Sequence, residues 1–333
     1  MNRPRMSLTR YGEYPHRPMG YGDRKTVRTA AQAAAEALRS TEIVGTVTEW
    51  AALMTGLAAG TPVTGGTIDT VAATIGAGAV AEGDFSLTIG SSGRLCSIGA
   101  RPMEDPRLLN ICGAYDGQYI IVQSTNNACV SLRWFRDTFG REAARQAQAA
   151  GCGIYHIWTV WRTLPRPGPE PYMASLSGRG AEPVWDTRAR GVFLWGRAGD
   201  RLPILYKGCP GGSGIFTAPL SGSGPGPGCQ TGYHTPWRRR GQQPLWCRIF
   251  ADVLGIPVAR LRSNETETLG DIIIAAQAMG IHEIAPDFGK VLAAEGEVFW
   301  PDDVRASVYD RQYRVYRELY QALKPVFAGG GEQ

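Results

Sequence analysis

No run of about 18 uninterrupted apolar residues occurs in this sequence, because Gly, Thr and Glu interrupt even the alanine-rich stretch over 51–80. A membrane-spanning helix is therefore not expected. The first thirty residues, with Arg3, Arg5, Arg10, Tyr11 and Pro15, hold no apolar segment long enough for a signal peptide. Cysteine pairs at metal-binding spacing are also missing: the 7 cysteines include no C-x-x-C, and an odd, widely scattered set speaks against a disulfide framework. Reduced thiols, a soluble protein and a cytoplasmic location are expected. Histidine is scarce, with 4 residues, and His156 and His282 stand alone, so neither is given a catalytic role.

Hydrophobic residues at 43% against charged ones at 20% are enough to build a globular core. The net charge of +5 sits largely in residues 2–28 and in Trp237-Arg238-Arg239-Arg240, without a zinc-finger or helix-turn-helix pattern around either. Nucleic-acid binding is not expected. Cys209, Cys229 and His234 match no zinc spacing, so no metal site is assigned to them.

Residues 27–38 and 48–57 read as helices, the first alanine-rich. Thr61-Pro62-Val63-Thr64 then reads as a strand running into the Gly65-Gly66 turn, followed by a helix over 69–75 and strands over 85–89, 94–98, 108–114 and 119–123. Helices follow over 132–135 and 141–150. Between 165 and 243 Pro and Gly become dense and apolar periodicity fails. Order returns with a helix over 244–254, a strand over 257–261, a helix over 265–279 stopped by Gly280, and a long helix over 301–327 with Val304, Val308, Tyr309, Tyr313, Tyr316 and Leu319 on one face. Alternation of this kind predicts an α/β fold with a mixed sheet flanked by helices.

Parallel pairing of the strands ending near Gly66 and Ile89 would bring Asp69 and the loop Gly90-Ser91-Ser92-Gly93 to one sheet edge. The two glycines permit close approach of the backbone to an anion, and the amides and serine hydroxyls can donate to phosphate oxygens. A carboxylate at a helix start is stabilised in its ionised form and can accept a proton, although taken singly Asp69 reads as an N-cap. Trp134 and Trp246 sit at core spacing. Gln123, with Asn126 and Asn127, ends a strand near the expected cleft and reads equally as a substrate contact or a polar turn.

A series of motifs widens this reading. Gly56-Leu57-Ala58-Ala59-Gly60-Thr61-Pro62-Val63 leads into Gly65-Gly66-Thr67-Ile68-Asp69, then Ile75-Gly76-Ala77-Gly78, Gly83-Asp84 and Ile89-Gly90-Ser91-Ser92-Gly93. Pro183-Val184-Trp185-Asp186-Thr187-Arg188, Leu245-Trp246-Cys247-Arg248-Ile249-Phe250-Ala251-Asp252, the stretch 265–270 and a tyrosine-rich end follow. In order and spacing this series resembles the FGGY family of carbohydrate kinases. The resemblance implies an actin-like ATPase fold of two ribonuclease-H-like domains closing on ATP and a sugar, here the second, ATP-binding half with the first domain largely missing. It also implies that Asp69 is the general base and contacts the sugar, that Gly90, Ser91, Ser92 and Gly93 hold ATP phosphates, and that Mg²⁺ neutralises charge.

Two departures from the family pattern stand out. Nothing like its opening D-x-G-T hairpin precedes Asp69, so residues 1–60 read as a remnant of the first domain and 61–333 as the second. Where the family places a glycine-rich segment against the adenosine, the chain reads Trp237-Arg238-Arg239-Arg240-Gly241-Gln242-Gln243, which leaves Gly241 as the ATP contact there. Codons chosen for 237–243 and for 207–212 yield GGGAAS and RAALEG when read one base later, both of the kind the family shows, so 207–243 is taken as a frameshifted segment. The expected reaction is ATP-dependent phosphorylation of a sugar or polyol, with a pentulose or polyol acceptor, by a truncated chain whose activity alone is left open. The competing expectation is a non-catalytic nucleotide-binding or interaction fragment. A homodimer is compatible with either.

Overall fold

The computed structural model describes residues 38–90, 92–105, 108–125, 129–163, 172–174, 186, 188–190, 192–194, 244–261, 265–281, 283–286, 288–294 and 297–329. The helix expected over 27–38, Ser91, the 207–243 segment, Gly241 and the basic residues 237–240 lie wholly or largely outside them.

The described chain opens with β1 (Ile43–Thr46), α1 (Glu49–Thr55) and β2 (Pro62–Thr64), in which β1 and β2 form a small antiparallel pair. Next come α2 (Asp69–Gly76) and the strands β3 (Phe85–Ile89), β4 (Gly93–Gly99), β5 (Leu109–Cys112) and β6 (Tyr119–Thr125), ordered β3-β4-β6-β5 in one sheet. Every described ladder is antiparallel, so the mixed sheet and the parallel neighbours expected near Gly66 and Ile89 are not seen among the described residues. The strand ending near Gly66, β2, pairs with β1 in a separate two-stranded sheet and not with β3, and within the larger sheet β4 follows β3 through a short turn, which can only return it antiparallel.

Three helices, α3 (Cys129–Phe139), α4 (Arg141–Ala149) and α5 (Ile154–Thr163), close a local cluster on Phe135, Ala143 and Trp158. The short pair β7 (Tyr172–Ala174) and β8 (Val192–Leu194) follows. Then come α6 (Pro244–Leu254), β9 (Val258–Arg260), α7 (Thr266–Ala278), α8 (Phe288–Ala294), β10 (Glu297–Phe299) paired with β9, and α9 (Asp303–Gly329).

Strand alternation sorts the sheet's residues onto two faces. One face sends Cys96, Ile98, Ile111, Ile120 and Val122 against Val71 and Ile75 of α2 and Ile273 and Ile274 of α7. On the other, Leu87, Ile89 and Leu95 meet Cys247, Phe250 and Ala251 of α6. The result is a helix, sheet, helix sandwich.

Glycines of the motif series set how closely the α2 layer packs. A Cβ on Gly76 would collide with the Thr266 carbonyl, one on Gly270 with the Ala72 carbonyl, and one on Gly289 would lie 2.6 Å from the Gly78 nitrogen. Gly76, Gly270 and Gly289 are thus where the backbones of α2, α7 and α8 touch. Asp84 ties the same region together, accepting the Val80 and Ala81 N–H groups and pairing with Lys290 at 2.6 Å. Across the molecule, Asp252 of α6 is almost fully buried and is held by the Arg305 Nε and Nη2 donors and the Asp302 N–H of the α9 start. Among the described cysteines all are free, and burial pushes the Cys96 thiol up to about 11. No described helix is long and apolar enough to cross a membrane.

Candidate functional site

Asp69 reaches its position through two glycines. A side chain at Gly65 would run into the Arg39 carbonyl, and Gly66 has φ +68, a left-handed conformation that favours glycine, so the chain turns sharply out of β2 and into α2. Ile68, not Asp69, is the N-cap, and it makes no side-chain cap bond. Asp69 is instead the first helical residue, and the capping role it has when taken singly does not apply.

The carboxylate is oriented by its neighbour. Thr70 donates to Asp69 Oδ1 twice, from its N–H at 2.6 Å and from its hydroxyl at 3.1 Å. Arg94, the second residue of β4, donates from Nη1 to the Thr70 hydroxyl oxygen at 2.6 Å, and the same nitrogen lies 3.7 Å from Asp69 Oδ1. Oδ1 is thereby occupied. Among the described residues Oδ2 has no hydrogen bond, and the side chain is 65% exposed. A fixed carboxylate with one open oxygen can accept a proton from a hydroxyl brought to it.

Arg94 also joins the acid to the glycine-bounded turn. Its cross-strand partner is Thr88 on β3, and the Ile89↔Gly93 pair closes the turn at the next position. Within the turn the Gly90 N–H donates to the Ser92 carbonyl at 2.7 Å, while the Gly90 carbonyl accepts the Cys129 N–H at 3.1 Å. The Gly90 amide is therefore committed to the turn itself. The acid and the 90–93 turn share one end of the sheet, joined through Arg94, although the strands there run antiparallel.

Gln123 does not join them. It pairs with Leu95, whose side chain belongs to the α6 core, so Gln123 lies on the face opposite α2. There its Oε1 is buried without a hydrogen-bond partner. Strand alternation turns every other residue away from Asp69, and Gln123 falls on the wrong register for a contact with it. Trp246 packs on Phe250, centroids 5.9 Å apart, as expected of a core residue, whereas Trp134 is 49% exposed.

Asp186, singled out in the motif series, serves another purpose. The Arg188 N–H donates to it and the Tyr320 hydroxyl of α9 donates at 3.1 Å, which holds its carboxyl below the usual range, the backbone bond contributing most. Arg94 went unassigned in the sequence reading. Its signal was available: a cation directly after a glycine-bounded turn, on the strand alternation that faces α2.

For the nucleotide and magnesium that the resemblance implies, the donor set can be tested against this geometry. The turn backbone beyond the committed Gly90 amide, the half-buried Ser92 and the spare guanidinium donors of Arg94 offer groups suited to phosphate oxygens. No group of three or more acidic, histidine or cysteine side chains placed to hold a metal ion gathers among the described residues.

No family model matches the sequence. Curated relatives include a gluconokinase from Bacillus subtilis strain 168, 27% identical over 252 residues, covering 72% of this chain and 48% of the relative. An erythritol kinase from Brucella abortus strain 2308 is 26% identical over 306 residues, or 83% of this chain and 55% of the relative. The chain thus spans about half the length of the curated relatives it matches. Among solved structures, xylulose kinase from Rhodospirillum rubrum superposes with a TM-score of 0.69 at 26% identity, covering 88% of this chain and 58% of that one. A xylulose kinase from Lactobacillus acidophilus gives a TM-score of 0.74 at 17% identity, covering 93% and 62%.

Proposed function

We propose that this chain, a homologue of the FGGY carbohydrate kinases that shares their actin-like ATPase fold, serves the ATP-dependent phosphorylation of a sugar or polyol hydroxyl. Residues 61–333 act as the ATP-side half and 1–60 as the edge of the sugar-side domain. A pentulose or polyol is the acceptor, and the site works in the cytoplasm. The observation that carries this reading is the join between Asp69 and the 90–93 turn through Arg94 and Thr70.

Bound ATP with Mg²⁺ supplies the phosphoryl group and the neutralising charge. Asp69 accepts the acceptor hydroxyl's proton on its open Oδ2, while Thr70 keeps Oδ1 from turning toward the substrate. Ser92 and Gly93 donate to phosphate oxygens; Ser91 and Gly241, outside the described residues, are assigned to the phosphates and the adenosine from the sequence alone. Gln123 is left out of the contact set because it sits behind the sheet.

That the chain spans about half of its relatives favours a second reading, a nucleotide-binding fragment without sugar turnover. Calorimetric titration with MgATP, run beside a coupled ADP-release assay over ketopentoses and polyols, separates the two. The kinase reading expects turnover that falls at least about 100-fold in Asp69→Asn with ATP affinity retained. Nucleotide binding with no turnover on any acceptor supports the fragment, and absence of nucleotide binding refutes both.

A further inference from the structure

A carboxylate and a polyphosphate repel each other, so a site that uses both needs a cation between them. The Thr88↔Arg94↔Ser124 register puts Arg94 on the α2 face of the sheet, one residue past the 90–93 turn. Its Nη1 is engaged by Thr70 and faces Asp69 Oδ1, and no described residue bonds the rest of the guanidinium. The side chain is 39% exposed beside an acid that is 65% exposed, so both reach solvent at the same edge. An ion pair this open contributes little to stability. Its placement between a proposed base and a phosphate turn therefore calls for another role, and the planar, permanently charged fork of arginine can serve two anions at once.

We infer that Arg94 is a positioning and screening residue: one edge of its guanidinium holds Thr70 and Asp69, and the other receives the terminal phosphate of ATP at the turn, so that base and nucleotide can be neighbours. This rests on the assignment of Asp69 and the 90–93 turn made above. It extends that assignment to a residue whose only outward marks are its strand register and its free donors.

The test is a cycle of calorimetric titrations with MgATP and MgADP on the wild type, Arg94→Ala, Arg94→Lys, Asp69→Asn and the Asp69→Asn/Arg94→Ala double variant. Arg94→Ala should weaken ATP about tenfold and ADP distinctly less, because the terminal phosphate meets the carboxylate's charge most directly. Arg94→Lys should recover part of the loss, and the double variant most of it, since an uncharged amide in place of the carboxylate needs no screen. Equal weakening of ATP and ADP, or a loss that persists after Asp69 is neutralised, would overturn the inference while leaving the nucleotide assignment standing. A wild-type chain that binds neither nucleotide would overturn both. Circular-dichroism melts accompany each variant; if Arg94→Ala unfolds, the Arg94→Lys titrations decide, a loss larger for ATP than for ADP upholding the screen and a loss equal for both nucleotides refuting it.

Discussion

Two helices of nearly equal length, α1 and α2, are held in opposite ways. In α1 no residue is buried, and Trp50, Leu53 and Met54 are 73%, 86% and 68% exposed. In α2 seven residues from Thr70 to Gly76 are buried. Helices this short are marginal in water. α1 persists through its ends: the Thr48 hydroxyl accepts the Ala51 N–H, and Gly56, at φ +77, donates to the Ala52 carbonyl. α2 has no side-chain cap and persists through packing against the sheet and α7. Caps fix a helix locally but do not anchor it, whereas burial fixes a helix to the rest of the fold. Only α2 can hold a carboxylate in register with a turn on another element, and that is where Asp69 stands.

The sharpest way to break this contrast is at the glycine contact beneath α2. Gly270→Ala places a methyl group against the Ala72 carbonyl, where backbone must move, and should cost about 3 kcal/mol. A urea unfolding midpoint measures it. Because the displaced element carries Asp69, MgATP affinity should fall even under conditions where the variant stays folded.

A second prediction carries the comparison to charge. Asp252 and Asp69 each face an arginine, but the Asp252 side chain is 1% exposed and that of Asp69 65%. Removing Arg305 leaves a buried carboxylate with the Asp302 N–H as its remaining partner, and Arg305→Ala should destabilise by about 2 kcal/mol, at the low end for a broken buried pair because Arg305 is itself half-exposed. Arg94→Ala should cost well under about 1 kcal/mol in the same unfolding experiment. Equal losses would mean that the two pairs do the same structural work.

Much of the α2 region was legible in the letters. The helix starting at Asp69, the strands flanking the 90–93 turn and the helix over 244–254 each follow from apolar spacing punctuated by glycine or proline, and the structure returns them within a residue or two. The direction of the strands was not legible, because alternation reports which residues face a core and says nothing of how neighbours run. The glycines at 76 and 270 read as parts of a motif; that they are contact points between backbones needs the third dimension. Gln123 shows the reverse limit, since nearness in sequence to the turn concealed a one-residue difference in register that turns its side chain to the far face. β1, which falls between the helices read over 27–38 and 48–57 and received no element of its own, is a strand whose residues are all exposed, so it lacks the burial pattern that sequence reading depends on.

The smallest effect belongs to α1. Leu53→Asp introduces a charge where the native side chain is 86% exposed, on a helix whose ends are closed by Thr48 and Gly56. If caps alone hold it, the unfolding midpoint should move by less than about 0.5 kcal/mol. Glu49 already sits in the first turn, where a carboxylate suits the helix dipole, and Leu53 lies one turn later, so the added charge gains nothing and gives only weak repulsion at i, i+4. A loss above about 1.5 kcal/mol would have to come from burial, the range expected for a leucine removed from a packed environment. That outcome would put α1 in the same class as α2 and remove the distinction by which Asp69, and not any acid of the first helix, is the residue fixed against the turn.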